Sequence, residues 1–194
     1  MSLRYRLMYG LGFKPWDNEI VGDELSAAAA ALPAGRALDI GCGTGTQAVF
    51  LAEQGWRVAG VDVVPQALAA ARARADSAGV DVKWVEADVG RLDAAGLEPG
   101  YELLHDRGCF HDLPEPARDG YVRGVTALAA PGAVLLVMAM SPHRRIGPRV
   151  RDGEIAERFA VGWTLASRTA DTGPAPPGPM RDAPRFWYRL ERRA

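Results

Sequence analysis

Asp39-Ile40-Gly41-Cys42-Gly43-Thr44-Gly45 joins an acid to three glycines at alternate positions. Bare backbone at such spacing lets a ligand reach the main chain, and a helix that starts behind the loop offers unpaired N–H groups. Alone, a glycine loop is a weak signal. Asp62, Asp88 and Asp106 strengthen it, because each falls, like Asp39, at or just after the end of an apolar run. For any one of them a turn or a helix cap is an ordinary explanation. Acids at the ends of four successive runs describe an acidic crevice, which selects a cationic ligand.

The ligand chemistry narrows further. Asp39 would repel a pyrophosphate, and Gly41-x-Gly43-x-Gly45 lacks the Gly-x-Gly-x-x-Gly spacing of dinucleotide loops. S-adenosylmethionine, which sets a sulfonium and an ammonium against one carboxylate, fits better. Asp62 follows Gly41 by 21 residues, where two carboxylate oxygens suit the vicinal diol of a ribose. Methyl transfer from a sulfonium is an in-line displacement, so alignment can supply most of the acceleration and a base is optional. A phenol or alcohol acceptor gains from a nearby histidine. His111 is the candidate base, or else a loop residue bonded to Asp112 or to backbone. Arg107 either positions a substrate or braces Asp106 through a bidentate pair. His105, inside an apolar run, reads as structural. His143, Arg144 and Arg145 either receive an anionic group or stay solvated. Cys42 and Cys109 lack the further ligands a metal needs, so no metal is expected. Tyr5, Met8, Tyr9 and Trp16 form either a lid that excludes water or a helix packed on the sheet edge.

The elements that must position these residues alternate. Strands are expected at 37–40, 57–62, 82–86, 101–105 and 133–140, with helices from Asp17 to Pro33 and over 47–54, 65–78 and 115–130. Strands separated by helices require a parallel sheet with right-handed crossovers, a doubly wound α/β domain. After a short helix at 154–159 the rhythm breaks. Strands at 163–170 and 186–192 flank a proline-rich stretch with no room for a crossover helix, so they should pair antiparallel and bring the sheet to seven strands.

Composition bounds the answer. At 194 residues, with 48% apolar and 24% charged, one domain is the simplest reading. It divides into an N-terminal cover over 1–33, a cofactor core over 34–140, and a substrate-side loop with closing hairpin over 141–194. Residues 1–140 hold 12 Lys+Arg against 18 Asp+Glu, and residues 141–194 hold 11 against 6. The basic segment interleaves its arginines with acids, which disfavours a nucleic-acid partner. No apolar run is long enough to span a bilayer. Two cysteines and no leader pattern point to a reduced, cytoplasmic setting. Oligomeric state leaves no mark.

Asp39-Ile40-Gly41-Cys42-Gly43-Thr44-Gly45, together with Gly60-Val61-Asp62-Val63 and Glu86-Ala87-Asp88-Val89, resembles the class I S-adenosylmethionine-dependent methyltransferases over about residues 37–140. The resemblance implies a Rossmann-like sheet of order 3-2-1-4-5-7-6 with strand seven antiparallel. It implies that Asp39 and the loop of Gly41, Cys42, Gly43 and Gly45 hold the methionine part of S-adenosyl-L-methionine, Asp62 the ribose, and Asp88 the adenine amino group with the Val89 backbone beside it. Val63 and Asp106 complete the expected cofactor set. Asp106-Arg107-Gly108 with His111, and Phe13-Lys14-Pro15-Trp16-Asp17, are similar to small bacterial methyltransferases of the thiopurine and tellurite-resistance groups, in which the latter stretch covers the cofactor. The expected activity is methylation of an O, N or S atom of a small hydrophobic or aromatic molecule, with His111, Asp106 and Arg107 as catalytic candidates. The rivals are an NAD(P)-dependent oxidoreductase, which Asp39 disfavours, and a non-catalytic S-adenosylmethionine-binding module.

Overall fold

From Arg36 onward, short apolar runs closed by Gly or Asp alternate with helix-forming stretches, and the chain folds accordingly. The computed structural model describes residues 7, 8, 10, 20–143, 149–175 and 178–194. Its elements are α1 (Asp23–Ala31), β1 (Arg36–Ile40), α2 (Thr46–Glu53), β2 (Arg57–Asp62), α3 (Pro65–Ala78), β3 (Val82–Glu86), β4 (Tyr101–Arg107), α4 (Glu115–Leu128), β5 (Ala129–Met140), α5 (Glu154–Arg158), β6 (Trp163–Ala170) and β7 (Arg185–Arg192). Two short 3-10 turns joined by a kink at Arg91 occupy Val89–Ala94, and single 3-10 turns occupy Phe110–Asp112 and Gly178–Met180.

The sheet runs β3-β2-β1-β4-β5-β7-β6, the expected seven strands in the expected order. Strands β1 to β5 are parallel, and β7 pairs antiparallel with both β5 and β6. The largest departures from the expected boundaries, beyond shifts of a single residue, lie at three places. Helix α1 starts at Asp23 behind an extended Gly22, and Asp17 lies outside the described residues. Strand β4 continues through Arg107. Helix α4 stops at Leu128, because Ala129 is already extended and pairs with Tyr101; a register shift between Tyr101 and Leu103 then absorbs Pro131 and Gly132 within the strand.

Strand side chains alternate between faces, and the alternation builds two cores. Leu38, Ile40, Leu104, Leu135 and Val137 pack with Tyr121, Val125 and Leu128 of α4 and with Phe159 and Trp163. Ala37, Leu103, Val134, Leu136 and Met138 pack with Leu25 of α1, Leu51 of α2 and Trp187 of β7. Each fully buried Leu or Ile contributes about 1.5–3 kcal/mol. The same alternation sends Asp39 and His105 to the α1/α2 face and Asp106 to the α4 face.

Candidate active site

The glycine loop leaves β1 with Gly41 N–H and Cys42 N–H both donating to the Val61 carbonyl, at 2.8 and 2.9 Å. Gly41 and Gly45 adopt φ of 70° and 81°. A Cβ on Gly41 would lie 2.8 Å from Cys109 Cβ, and one on Gly45 would lie 2.7 Å from the Trp84 ring and 2.9 Å from Ala71 Cβ. Glycine here therefore lets the segment after β4 close onto the loop and lets α2 settle against α3 and β3. Cys42 and Cys109 are free thiols, each pushed well above its ordinary pKa by burial first and then by neighbouring aspartates.

The four aspartates do different work. Asp39, 2% exposed, stands in parallel register with His105, and its Oδ1 meets His105 Nδ1 at 3.0 Å. Among the described residues its Oδ2 is buried without a partner, as are His105 Nε2 and, at the start of α2, Thr46 Oγ1. Asp62 Oδ2 accepts from Gly43 N–H at 2.9 Å and its Oδ1 from Val64 N–H at 2.8 Å. Burial pushes this carboxyl up, against the backbone N–H groups of Val64, Gly43 and Val63. Each oxygen keeps a second lone pair, so Asp62 retains the capacity to receive a diol. Asp88 is exposed and accepts from Gly90 N–H at 2.9 Å, which makes it the cap of the turn that Val89 begins.

Asp106 departs from expectation. Its side chain is fully buried on the α4 face and accepts from Cys109 N–H at 2.6 Å, Phe110 N–H at 2.9 Å and Tyr121 Oη–H at 2.7 Å. These three bonds fold the loop after β4 and engage both carboxylate oxygens. Burial raises its pKa to about 6, opposed by the Tyr121 hydroxyl and by those N–H groups. Arg107, on the opposite face, does not brace Asp106. Its Nη1 donates at 2.9 Å to the Ile20 carbonyl, which Gln47 Nε2 also reaches at 3.0 Å. These two side chains tie the segment before α1 to α2 and β4. Trp16 lies outside the described residues, as do Tyr5, Tyr9, Arg144 and Arg145.

His111 is buried too, and its Nδ1 accepts from Met140 N–H at 3.3 Å. Burial, then the charge of Arg149, holds its pKa down to about 3. The ring is neutral, with its lone pair turned to backbone, a poor arrangement for a general base. His111 nonetheless lines a cavity of about 480 Å³ with Asp112, Leu113, Pro114, Arg118 and Arg149. Arg118, buried on α4, gathers the walls: it donates to the Leu113 carbonyl at 3.2 Å, the His111 carbonyl at 3.4 Å, the Arg149 carbonyl at 3.3 Å and Glu154 Oε1 at 2.7 Å. Arg149 pairs with Asp112. Burial alone would raise the Glu154 carboxyl, but bonds from Arg158, Arg118 and the Arg151 N–H hold it below the usual range.

Sequence reasoning missed this arginine hub and the Asp39–His105 pair. Both left a signal. Arg118 stands three residues before Tyr121 and seven before Val125, on the face α4 buries, and aligning the C-terminal ends of β1 and β4 sets Asp39 beside His105.

Residues 37–132 match the family model described as a methyltransferase domain. A 2-heptyl-1-hydroxyquinolin-4(1H)-one methyltransferase of Mycobacteroides abscessus is 32% identical over 137 residues, 68% of this chain and 60% of that protein. The chain spans about half the length of the curated relatives it matches. Among solved structures, one from work on the conversion of a disulfide bond into a thioacetal group during echinomycin biosynthesis superposes with a TM-score of 0.81 at 25% identity, covering 100% of this chain and 93% of that one. The Burkholderia thailandensis 1,6-didemethyltoxoflavin-N1-methyltransferase, with bound 1,6-didemethyltoxoflavin and S-adenosylhomocysteine, superposes with a TM-score of 0.77 at 21% identity over 99% of this chain and 87% of that one. A methyltransferase-domain match through β1–β4 and a superposition over the whole chain place it in the class I methyltransferase family.

Proposed function

We propose that this chain transfers a methyl group from S-adenosyl-L-methionine to an O, N or S atom of a small aromatic or otherwise hydrophobic molecule. The observation that carries the reading is the unpartnered, buried Asp39 Oδ2 at the root of a glycine loop, since an unsatisfied carboxylate oxygen calls for a cation. Thr46 Oγ1, also without a partner, begins the helix behind that loop. Asp39 and the backbone of Gly41, Cys42 and Gly43 would hold the amino-acid arm, Asp62 with Val63 the ribose, and Asp88 with Val89 the adenine. When bound, the cofactor supplies an electrophilic methyl on a sulfonium, a reaction that needs alignment more than proton transfer.

The cavity beside His111 is the acceptor site in this reading, and its size falls within the range of small-molecule pockets. His111 and the Arg118-held loop shape it. The similarity to a hydroxyquinolone methyltransferase supports an aromatic heterocycle as acceptor. No helix among the described residues is long and apolar enough to cross a membrane. One methyltransferase domain over 1–194 in a cytoplasmic setting completes the proposal.

Calorimetry with S-adenosylmethionine, S-adenosylhomocysteine and NAD(P)H, followed by transfer of radiolabelled methyl to a panel of phenols, thiols and amines, tests it. Binding of the first two ligands and label in at least one acceptor class are expected. Binding of NAD(P)H alone would overturn the reading.

A further inference from the structure

Asp39 carries a buried carboxylate, and such a group persists only where something satisfies it and fixes its direction. The described structure supplies a single hydrogen bond to it, from His105 on the neighbouring strand. Parallel register sets the two residues side by side, and His105 Nδ1 lies 3.0 Å from Asp39 Oδ1. An ionised carboxylate only accepts, so Nδ1 carries the proton. The imidazole has little freedom. It is 1% exposed, and the Trp187 ring of β7 lies against it with centroids 5.7 Å apart and a tilt of 32°. Trp187 is itself anchored through its Nε1–H to Asp171 at 3.2 Å. One oxygen of Asp39 is thereby occupied and oriented, and the other is left without a partner.

We propose that His105 is the positioning residue of the cofactor site: it clamps Asp39 Oδ1 so that Oδ2 is presented to the ammonium of the cofactor's amino-acid arm. The inference rests on the reading of Asp39 given above. His105 does not touch the cofactor or the reacting atoms. It sets the direction of the group that does, and β7 extends this support to the far side of the sheet.

The test measures affinity by calorimetry for two ligands, S-adenosylhomocysteine and 5′-methylthioadenosine, which is the same nucleoside without the amino-acid arm. His105→Phe keeps a ring and loses the donor; His105→Asn places an amide N–H close to the position of Nδ1. His105→Phe should weaken S-adenosylhomocysteine about tenfold, the loss of one hydrogen bond to a charged group, and leave methylthioadenosine unchanged. His105→Asn should restore most of the affinity. Should His105→Phe not fold, His105→Gln, whose amide falls near the position of Nε2, replaces it with the same expectation. Equal weakening of both ligands means a general structural role and overturns the proposal, as does unchanged affinity in His105→Phe while Asp39→Asn loses S-adenosylhomocysteine. If Asp39→Asn itself binds both ligands normally, the reading of Asp39 fails and the role of His105 falls with it.

Discussion

A carboxylate near the end of a strand does different work depending on which face of the sheet it meets. Asp62 holds the glycine loop through Gly43 while keeping lone pairs toward the crevice. Asp62→Ala should therefore weaken S-adenosylhomocysteine by about 1–3 kcal/mol, read by calorimetry. His111 yields a prediction in pH. Its pKa in the fold is about 3, below the ordinary 6.5, so the unfolded chain binds more protons between those values. The stability it contributes is complete above pH 6.5 and is lost toward pH 3, at about 1.4 kcal/mol per pH unit. Asp106 has the opposite sign. With its pKa raised to about 6, its contribution is greatest below its ordinary 3.8 and declines as pH rises through 6. Urea midpoints at pH 7, 5.5 and 4 should show His111→Gln losing less stability on acidification than the native chain. The placement of Asp39, Asp62 and Asp88 at or close to strand ends was legible in the sequence. The bonding of Asp106 was not, because its hydroxyl partner sits 15 residues on, across a loop and two turns of α4.

Among the elements, strands were the most legible, since apolar runs bounded by Gly and Asp have few alternatives. The α4/β5 junction was illegible, because Ala129 and Ala130 suit a helix and only pairing with Tyr101 pulls the chain straight. The segment after β4 owes its shape to Arg118, which ties together the His111 and Leu113 carbonyls, residue 149 and α5. Arg118→Met should cost about 1–3 kcal/mol in urea denaturation, because Glu154 would lose the buried one of its two guanidinium partners and the loop carbonyls their donor. Limited proteolysis should then cut first near residues 111–114.

For the whole molecule, the contrast between acidic body and basic tail resolves into internal pairing. Arg149 reaches Asp112 and Arg158 reaches Glu115 and Asp119 in the acidic body, while Arg158–Glu154 and Arg185–Asp171 pair within the tail itself. The tail's charge stitches the last quarter onto the first three, a use that counting charges along the sequence does not reveal. Because the two cores share one sheet, they should unfold together. A thermal melt should show a single transition, and S-adenosylhomocysteine at a hundred times its dissociation constant should stabilise the fold by about 2.7 kcal/mol.

The grip on Ile20 carries a consequence for time. Its carbonyl is held by Gln47, 27 residues downstream, and by Arg107, 87 residues downstream. Neither hand exists until α2 and β4 have docked, so this grip closes only once distant parts of the chain have met. Gln47→Ala, which removes one hand, should then speed amide exchange across residues 20–24 while leaving exchange in the central strands unchanged.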